Sequence, residues 1–295
     1  MTDRTDASAL RVAIPNKGRL SEAALDLFEK AGLKATFRAD RALMASLGPD
    51  FQAIMVRAGD IPEFLDDGAA EIGITGHDLV QESGHDLQEV LDLGFGACRL
   101  VVAVKDESPA TSARDLPAGT RVATSFPRCA TRFFESLEIP IEIAPVSGAA
   151  EIAPHLGVAD VIVDLTSTGS TLRVNGLREV DTILSSSARL VANRAAMDDP
   201  GNRAKVEELA TAVESVLRAQ AKRYLMSNVP RDRLEEVRKV LPGINGATIV
   251  DVLDDDHWVA AHAVVDADRV YQTISALKEL GAEGILVTRI ERLMP

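Results

Sequence analysis

Short apolar runs alternate with segments of helical apolar spacing along the first two thirds of the chain. Runs rich in Val, Ile, Leu and Ala predict strands that are buried on both faces. The predicted strands are Arg11–Pro15, Phe51–Arg57, Glu71–Thr75, Cys98–Val104, Arg121–Thr124, Ile141–Pro145, Val161–Val163, Val180–Ser185 and Arg189–Ala195. The predicted helices are Ser21–Ala31, Ile61–Gly68, Arg128–Leu137, Ala149–Leu156 and Pro200–Lys222. This alternation predicts an α/β fold with mainly parallel sheets.

The final part of the chain has a different order of elements. Its predicted elements are the strand Tyr224–Val229, the helix Arg231–Leu241, the strands Ala247–Asp251 and Trp258–Val265, the helix Asp266–Leu280 and the strand Gly284–Ile290. The order βαββαβ is ferredoxin-like. We therefore expect a first lobe over residues 10–97 and 183–222, a second lobe over 98–182, and a separate domain over 223–295.

Composition narrows the classes of function. The chain has 295 residues, enough for two or three domains, and a net charge of −13. This charge argues against non-specific nucleic-acid binding, which needs a basic surface. It leaves anionic substrates open, because a local group of cations and N–H groups can outweigh the overall field.

The sequence gives no indication of a segment that would direct the chain to a membrane. The first nine residues are polar and charged, and no apolar run is long enough to span a bilayer. We expect a frayed N-terminal tail, no membrane partner and a cytoplasmic location. The two cysteines, Cys98 and Cys129, have neither a CxxC spacing nor nearby histidines. We expect both to be reduced core residues.

One loop has the composition of a phosphate site. The apolar run ending at Val163 is followed by Asp164 and then by a segment of small hydroxylated residues, Thr166–Thr171, around a single glycine. Backbone N–H groups and hydroxyls can hold a phosphate, and an acid at the strand end can accept hydrogen bonds from ribose hydroxyls. Composition alone leaves an ordinary turn equally open.

Three segments together resemble the long form of the ATP phosphoribosyltransferase family, the first enzyme of histidine biosynthesis. They are Val12–Leu20, the pair Asp60–Pro62 with Glu71–Leu79, and the pattern E-x5-G-x-A-x2-I-x-D-L-x2-T-G-x-T-L from Glu151 to Leu172. The resemblance extends from about Leu10 to the C-terminus. It implies a two-lobed core like type II periplasmic binding proteins, with the active site between the lobes, and a C-terminal regulatory domain that binds histidine.

The resemblance assigns residues to two groups of ligand contacts. Those for phosphoribosyl pyrophosphate are Glu151, Asp164, Ser167, Thr168, Gly169, Ser170 and Thr171. Those for ATP or pyrophosphate are Lys17, Arg19, Arg57, Gly76 and Asp78. Most of the second group follow predicted strands, where ligands bind in open α/β sheets. The turn after Arg57 lacks the proline expected there, and His77 is interpreted as a capping or surface residue.

The implied reaction joins N1 of the ATP adenine to C1′ of phosphoribosyl pyrophosphate and releases pyrophosphate. Its transition state needs positioning and electrostatic stabilisation, so no residue is assigned as general acid or base. Magnesium is expected as the cofactor, with its protein ligands unknown. The family also implies a homo-oligomer, a hexamer built from dimers.

The resemblance places the inhibitor histidine beside Thr248 and Gly284 in the C-terminal domain. Asn228 lies near a strand end of the predicted topology and offers a further neutral hydrogen-bonding group. Asn228 stands where some relatives have an acid. Three alternatives remain open from sequence: a two-lobed binding or regulatory module without catalysis, a phosphoribosyltransferase for another base, and a C-terminal domain that only forms oligomers.

Overall fold

The computed structural model describes residues 9–39, 42–244, 246–253 and 256–294. The predicted N-terminal tail lies outside these residues, apart from Ala9. By its internal contacts the chain divides into two compact units. The first contains Lys34–Ala210 and the residues before Leu27, and the second contains Leu27–Leu33 and the residues from Thr211 onward.

The elements follow in chain order. The strands are β1 Leu10–Pro15, β2 Thr36–Phe37, β3 Met44–Ser46, β4 Phe51–Val56, β5 Ile72–Gly76, β6 Gln88–Asp92, β7 Cys98–Lys105, β8 Thr120–Thr124, β9 Ile141–Pro145, β10 Val161–Thr166, β11 Leu177–Ser186, β12 Ala188–Ala192, β13 Lys222–Pro230, β14 Thr248–Asp251, β15 Trp258–Asp266 and β16 Glu283–Arg289. The helices are α1 Arg19–Lys30, α2 Ile61–Asp66, α3 His77–Ser83, α4 Pro127–Ser136, α5 Ser170–Val174, α6 Arg194–Asp198, α7 Pro200–Gln220, α8 Leu234–Val240 and α9 Val270–Glu279.

The first unit contains two sheets that share one arrangement of four neighbouring strands. The first sheet runs β2-β3-β4-β1-β5-β12-β6, and the second runs β11-β7-β10-β8-β9. Each has three parallel strands, β4-β1-β5 and β9-β8-β10, next to an antiparallel strand, β12 or β7. The chain crosses between the sheets before Cys98 and again after Ser186. We call the two sheets with their helices the first and second lobes, and they confirm the predicted two-lobed type II core.

The central strands of both lobes are buried on both faces. In β1, Val12, Ala13 and Ile14 are fully buried, and in β10 so are Ile162 and Val163. Such strands are apolar throughout because helices cover both faces of a parallel sheet. Polar residues can therefore reach a ligand only where these strands end.

The second unit contains a four-stranded antiparallel sheet in the order β14-β15-β13-β16, with α8 and α9 in the two connections. Alternate residues of β13 and β15 are buried, among them Leu225, Val229 and Val259, which pack with Val237 of α8 and Leu277 of α9. This alternation is typical of a sheet covered on one face. The predicted ferredoxin-like βαββαβ domain is confirmed.

One predicted helix is wrong. Residues 149–156 form only a single 3₁₀ turn, Ala150–Ile152, followed by further turns. Pro154 has no N–H group to donate to the carbonyl oxygen of Ala150, so the hydrogen-bond pattern of an α-helix is interrupted there. The strands β2, β3 and β6 were not predicted, because their few residues lack a long apolar run.

The described helices include none with the length and apolar character needed to cross a membrane. The boundaries expected for the lobes and the C-terminal domain stay a prediction. The strand β11 continues in the second sheet to Ser186, and β13 begins the C-terminal sheet at Lys222.

Candidate active site between two lobes

The loop between β10 and α5 owes its shape to a glycine and a threonine. Gly169 has a φ of 72°, and a Cβ atom there would lie 2.7 Å from the Oε1 atom of Glu179. Its N–H group donates to Oγ1 of Thr166, 2.9 Å away, and Thr166 is buried. A side chain at position 169 would therefore be both strained and crowded. Thr166 therefore fixes the backbone of the loop from its buried side, independently of any ligand.

Four of the five hydroxylated residues of this loop are exposed. Ser167, Thr168, Ser170 and Thr171 are all exposed. The Oγ1 atom of Thr168 lies 3.0 Å from the Oγ atom of Ser170, so these two side chains converge. Exposed, converging hydroxyls can donate to phosphate oxygens without first breaking contacts to the protein core.

Asp164 and Glu151 place two carboxylates beside this loop. Asp164 lies in β10, and its Oδ1 atom accepts a hydrogen bond of 2.7 Å from the N–H group of Leu165. Burial raises the pKa of Asp164 above its ordinary value, and the nearby negative charge of Glu151 raises it further. Both side chains are only partly exposed. Two close carboxylates favour a ligand that brings hydrogen-bond donors or a cation.

A cavity of about 420 Å³ lies between the lobes. The first lobe contributes Lys17, Gly18, Gly76 and Asp78, the second contributes Phe126, Thr166 and Ser167, and the returning crossover contributes Ser187. Lys17 is exposed at the turn after β1, whereas Asp78 is buried in the first turn of α3. The cavity therefore has a cation on one side and the hydroxylated loop on the other.

Gly76 and Asp78 form a tight unit at the start of α3. A Cβ atom at position 76 would overlap the Oδ1 atom of Asp78. The N–H group of Asp78 donates to Oγ of Ser186 at 3.0 Å, and that hydroxyl donates to Oδ1 of Asp78. Ser186 ends β11, where the chain returns to the first lobe. Asp78 thus joins the cavity wall to a crossover between the lobes, a role for Ser186 that no local sequence motif indicates.

Comparisons with known proteins agree with this arrangement. A family model described as ATP phosphoribosyltransferase matches residues 57–215. The chain belongs to the ATP phosphoribosyltransferase family. A relative of that name from Gemmatimonas aurantiaca is 58% identical over 97% of this chain and 100% of its own length, and one from Natronomonas pharaonis is 50% identical over the same shares.

A solved structure shows which part of the fold is shared. The ATP phosphoribosyl transferase (HisG:HisZ) complex from Thermotoga maritima contains a chain that is 31% identical, with a TM-score of 0.62. The match covers 71% of this chain and 98% of that one. A second model, described as the C-terminal domain of the family, matches residues 219–292.

The structure brings some of the expected ATP phosphoribosyltransferase residues together and leaves others apart. Lys17, Gly76, Asp78 and Ser167 line the cavity. The expected residues that do not line it are Arg57, Glu151, Asp164, Thr168, Gly169, Ser170 and Thr171. Arg57 is exposed after β4, at the same sheet edge as the turn that begins with Asn16, whose N–H group donates to Val56 O. The backbone of Arg19 begins α1, and its side chain lies outside the described part of the structure.

Among the described residues, no group of three or more His, Cys, Asp or Glu side chains could hold a metal ion. Burial raises the pKa of Cys129 to about 11, so this thiol is not a ready nucleophile. The Nδ1 atom of His77 lies 2.7 Å from Glu89 Oε1, and neither residue lines the cavity.

In the C-terminal unit only two of the three expected histidine contacts are neighbours. Asn228 in β13 is paired with Glu283 of β16, and its Nδ2 atom lies 3.8 Å from where a Cβ atom of Gly284 would be. Thr248 begins β14 and pairs with His262 of β15. The strands β15 and β13 therefore separate Thr248 from Gly284 within one chain.

Proposed function

We propose that this chain transfers the phosphoribosyl group of phosphoribosyl pyrophosphate to N1 of the adenine of ATP and releases pyrophosphate. This is the reaction of the family to which the chain belongs. The observation that supports it most strongly is the β10–α5 loop, which follows Asp164, exposes four hydroxylated residues and lines a cavity with Thr166 and Ser167, together with Lys17 of the first lobe. A sugar phosphate with an anionic leaving group matches this distribution of donors, acid and cation.

Asp164 would accept hydrogen bonds from the ribose hydroxyls. Burial has removed part of its hydration, and the one hydrogen bond that it accepts from the described residues comes from Leu165. Two hydroxyl donors would replace the lost water, so binding should relieve the cost of this charge. Glu151 would lie beside the same ribose and add to the negative charge near C1′, where positive charge develops.

The loop hydroxyls would hold the 5′-phosphate. Ser167, Thr168, Ser170 and Thr171 provide donors, and Gly169 allows the backbone to approach the ligand closely. Because Thr166 fixes the loop from beneath, the donors need little rearrangement when the phosphate arrives. Such preorganisation lowers the entropy cost of binding.

The first lobe would bind the pyrophosphate and ATP. Lys17 and Arg19 follow β1, and Arg57 follows the neighbouring strand β4, so the three cations belong to one sheet edge. Cations there would stabilise the negative charge that grows on the leaving pyrophosphate. Gly76 and Asp78 would position the start of α3 beside the nucleotide.

Positioning, rather than proton transfer by a side chain, would account for most of the rate. The nucleophile is a ring nitrogen and the leaving group is a polyphosphate, so the reaction needs no strong base. Holding N1 in line with C1′ and the departing oxygen is the main requirement. The opposed arrangement of the loop and the Lys17 turn suits this geometry.

Magnesium would fit this site through its substrates. The paired carboxylates Asp164 and Glu151 offer oxygen ligands, but the described residues do not form a complete metal cage. We therefore propose that Mg²⁺ is bound mainly by the phosphates, with Asp164 and Glu151 near its outer side. When bound, the ion shields the charge of the polyphosphate.

Two measurements test this function against the alternative of a binding module without catalysis. Calorimetric titration with phosphoribosyl pyrophosphate should show binding, and adding ATP should then release pyrophosphate together with a phosphoribosylated nucleotide. Binding without product would favour the binding module. Turnover with another base but not with ATP would replace the nucleotide assignment and keep the sugar-phosphate site.

Feedback inhibition by histidine at the C-terminal unit is a second part of the proposal. Two observations support it: the family's C-terminal domain model matches residues 219–292, and the Nδ2 atom of Asn228 lies 3.8 Å from where a Cβ atom of Gly284 would be. The effector must bind one state of the enzyme better than another, since equal affinity shifts nothing. A hexamer built from dimers and a cytoplasmic location are proposed from the family resemblance alone.

A further inference from the structure

Helices α3 and α4 come from different lobes and meet beside the cavity. α3 follows β5 of the first lobe, and α4 follows β8 of the second. Asp78 in the first turn of α3 and Phe126 just before α4 both line the cavity. Any contact that holds these two helices together therefore also affects the width of the site.

A glutamate of α3 caps the start of α4. Phe126 at the N-cap provides no side-chain hydrogen bond, and Pro127 in the first turn has no N–H group. The next two N–H groups, those of Arg128 and Cys129, donate to Oε1 and Oε2 of Glu82, each at 2.9 Å. A carboxylate is favourable at a helix N-terminus, and hydrogen bonds to a charged group are stronger than neutral ones.

Arginines of α4 make the reciprocal contact at the end of α3. The Nη2 atom of Arg132 donates to the carbonyl oxygen of Gln81 at 3.0 Å. Arg128 covers Gly84, the left-handed C-cap of α3, where a Cβ atom would overlap its guanidinium. Cations are favourable at a helix C-terminus. Each helix end therefore receives its complementary charge from the opposite lobe.

We propose that Glu82 and Arg132 are positioning residues that set the separation of the two lobes. Neither lines the described cavity, so their effect on the reaction must pass through lobe geometry. Without the contact, a fraction of the molecules would be too open for both ligands to be held in reach of each other. The apparent affinity then falls by that fraction, whereas saturating substrates restore the closed state and full turnover.

Glu82→Gln and Arg132→Met test this in the full-length chain. Glu82→Gln keeps the shape but leaves one amide oxygen in place of a bidentate carboxylate. We expect the KM for phosphoribosyl pyrophosphate and for ATP to rise about tenfold, the effect of losing one charge-assisted hydrogen bond. We expect kcat to stay within about twofold. Amide hydrogen exchange in residues 128–132 should become faster.

Glu135→Gln is the matched control, because Glu135 is exposed and lies on α4, the helix that Glu82 caps. It makes the same change of charge, and both KM values and the exchange rates should stay as in the wild type. Faster exchange in Glu82→Gln with unchanged KM values would show that the cap is only local, and would overturn the proposal. Unchanged exchange would show that Glu82 does not join the helices.

Arg132→Met gives the same test from the other helix, so the proposal does not depend on the folding of one variant. The kinetic measurement rests on the proposed function, but hydrogen exchange does not. A wild-type protein without transferase activity would defeat the proposed function. In that case, calorimetric titration of both variants with phosphoribosyl pyrophosphate would replace the KM measurement, and unchanged affinity would overturn the positioning role.

Discussion

Residues at strand ends are arranged differently in the first unit and in the C-terminal unit. In the first unit, Lys17, Gly76 and Ser167 lie far apart in sequence but line one cavity. In the C-terminal unit, Thr248 and Gly284 also lie near strand ends, but on strands at opposite sides of the sheet. The same type of sequence signal therefore predicts convergence in one unit and fails to do so in the other.

Strand direction explains the difference. Parallel strands have their C-terminal ends at the same edge of a sheet, so Lys17 after β1 and Gly76 at the end of β5 become neighbours. Ser167 lies at the corresponding end of β10 in the second sheet and lines the same cavity. In an antiparallel sheet the ends alternate, and neighbours are decided by register. With strands spaced by about 4.8 Å, β14 and β16 are about 14 Å apart. A histidine that contacts both Thr248 and Gly284 would need one of them from a second copy of the chain.

The largest effect on activity is expected for Asp164, near the end of a strand in the first unit. Asp164→Asn removes the charge that would bind the ribose hydroxyls and stabilise the transition state. We expect kcat/KM for phosphoribosyl pyrophosphate to fall about a hundredfold, as for the loss of more than one hydrogen bond to a charged group. The change should be measured by initial rates of pyrophosphate release.

Asp160→Asn provides the control for Asp164→Asn. Asp160 precedes the same strand at its other end, where its Oδ2 atom accepts from the N–H group of Arg121 at 2.8 Å. Asp160→Asn should lower the free energy of unfolding and leave kcat/KM for phosphoribosyl pyrophosphate unchanged. Equal losses of activity in both variants would mean that Asp164 supports the strand rather than the substrate.

Thr171→Val should have the next largest effect. It keeps the shape of the exposed side chain but removes a hydroxyl donor to the 5′-phosphate. We expect the affinity for phosphoribosyl pyrophosphate to fall about tenfold, measured by calorimetry. Thr182→Val, at an exposed position of β11, should leave the affinity unchanged. If Thr171→Val also binds normally, the loop does not hold the phosphate.

Asp164 and Thr171 show what can be predicted from a sequence. Asp164 and the hydroxylated loop are contiguous, so their spacing along the chain is enough to place them together. Glu82 and Ser186 were missed because their partners, Cys129 and Asp78, lie in a different lobe or beyond a crossover. Nothing in the local pattern of a short helix marks its glutamate as the cap of another helix. Such contacts depend on how the lobes pack, which apolar spacing does not specify.

A smaller effect is expected for histidine inhibition, which should distinguish the contact at Asn228 from the contact at Thr248. If one chain forms the site, Asn228→Ala should weaken inhibition several-fold and Thr248→Val should have little effect, since a neutral hydrogen bond is worth about 1 kcal/mol. If a second copy completes the site, both variants should weaken it similarly. Inhibition should then also decline on dilution of the enzyme. Initial rates at several histidine and enzyme concentrations distinguish these outcomes.

The smallest effect concerns the stability of the apo protein. Because burial and Glu151 raise the pKa of Asp164, the folded state disfavours its ionised form. Above the raised pKa this charge lowers stability, and the cost disappears as the pH falls towards the ordinary value of about 3.9. Asp164→Asn should therefore have a Tm at least as high as the wild type at pH 7, and this advantage should shrink in acid. Thermal unfolding of both proteins from pH 7 to pH 4 measures it. A wild type that is more stable at pH 7 and loses this lead in acid would show that the folded protein stabilises the carboxylate, against the direction of its pKa.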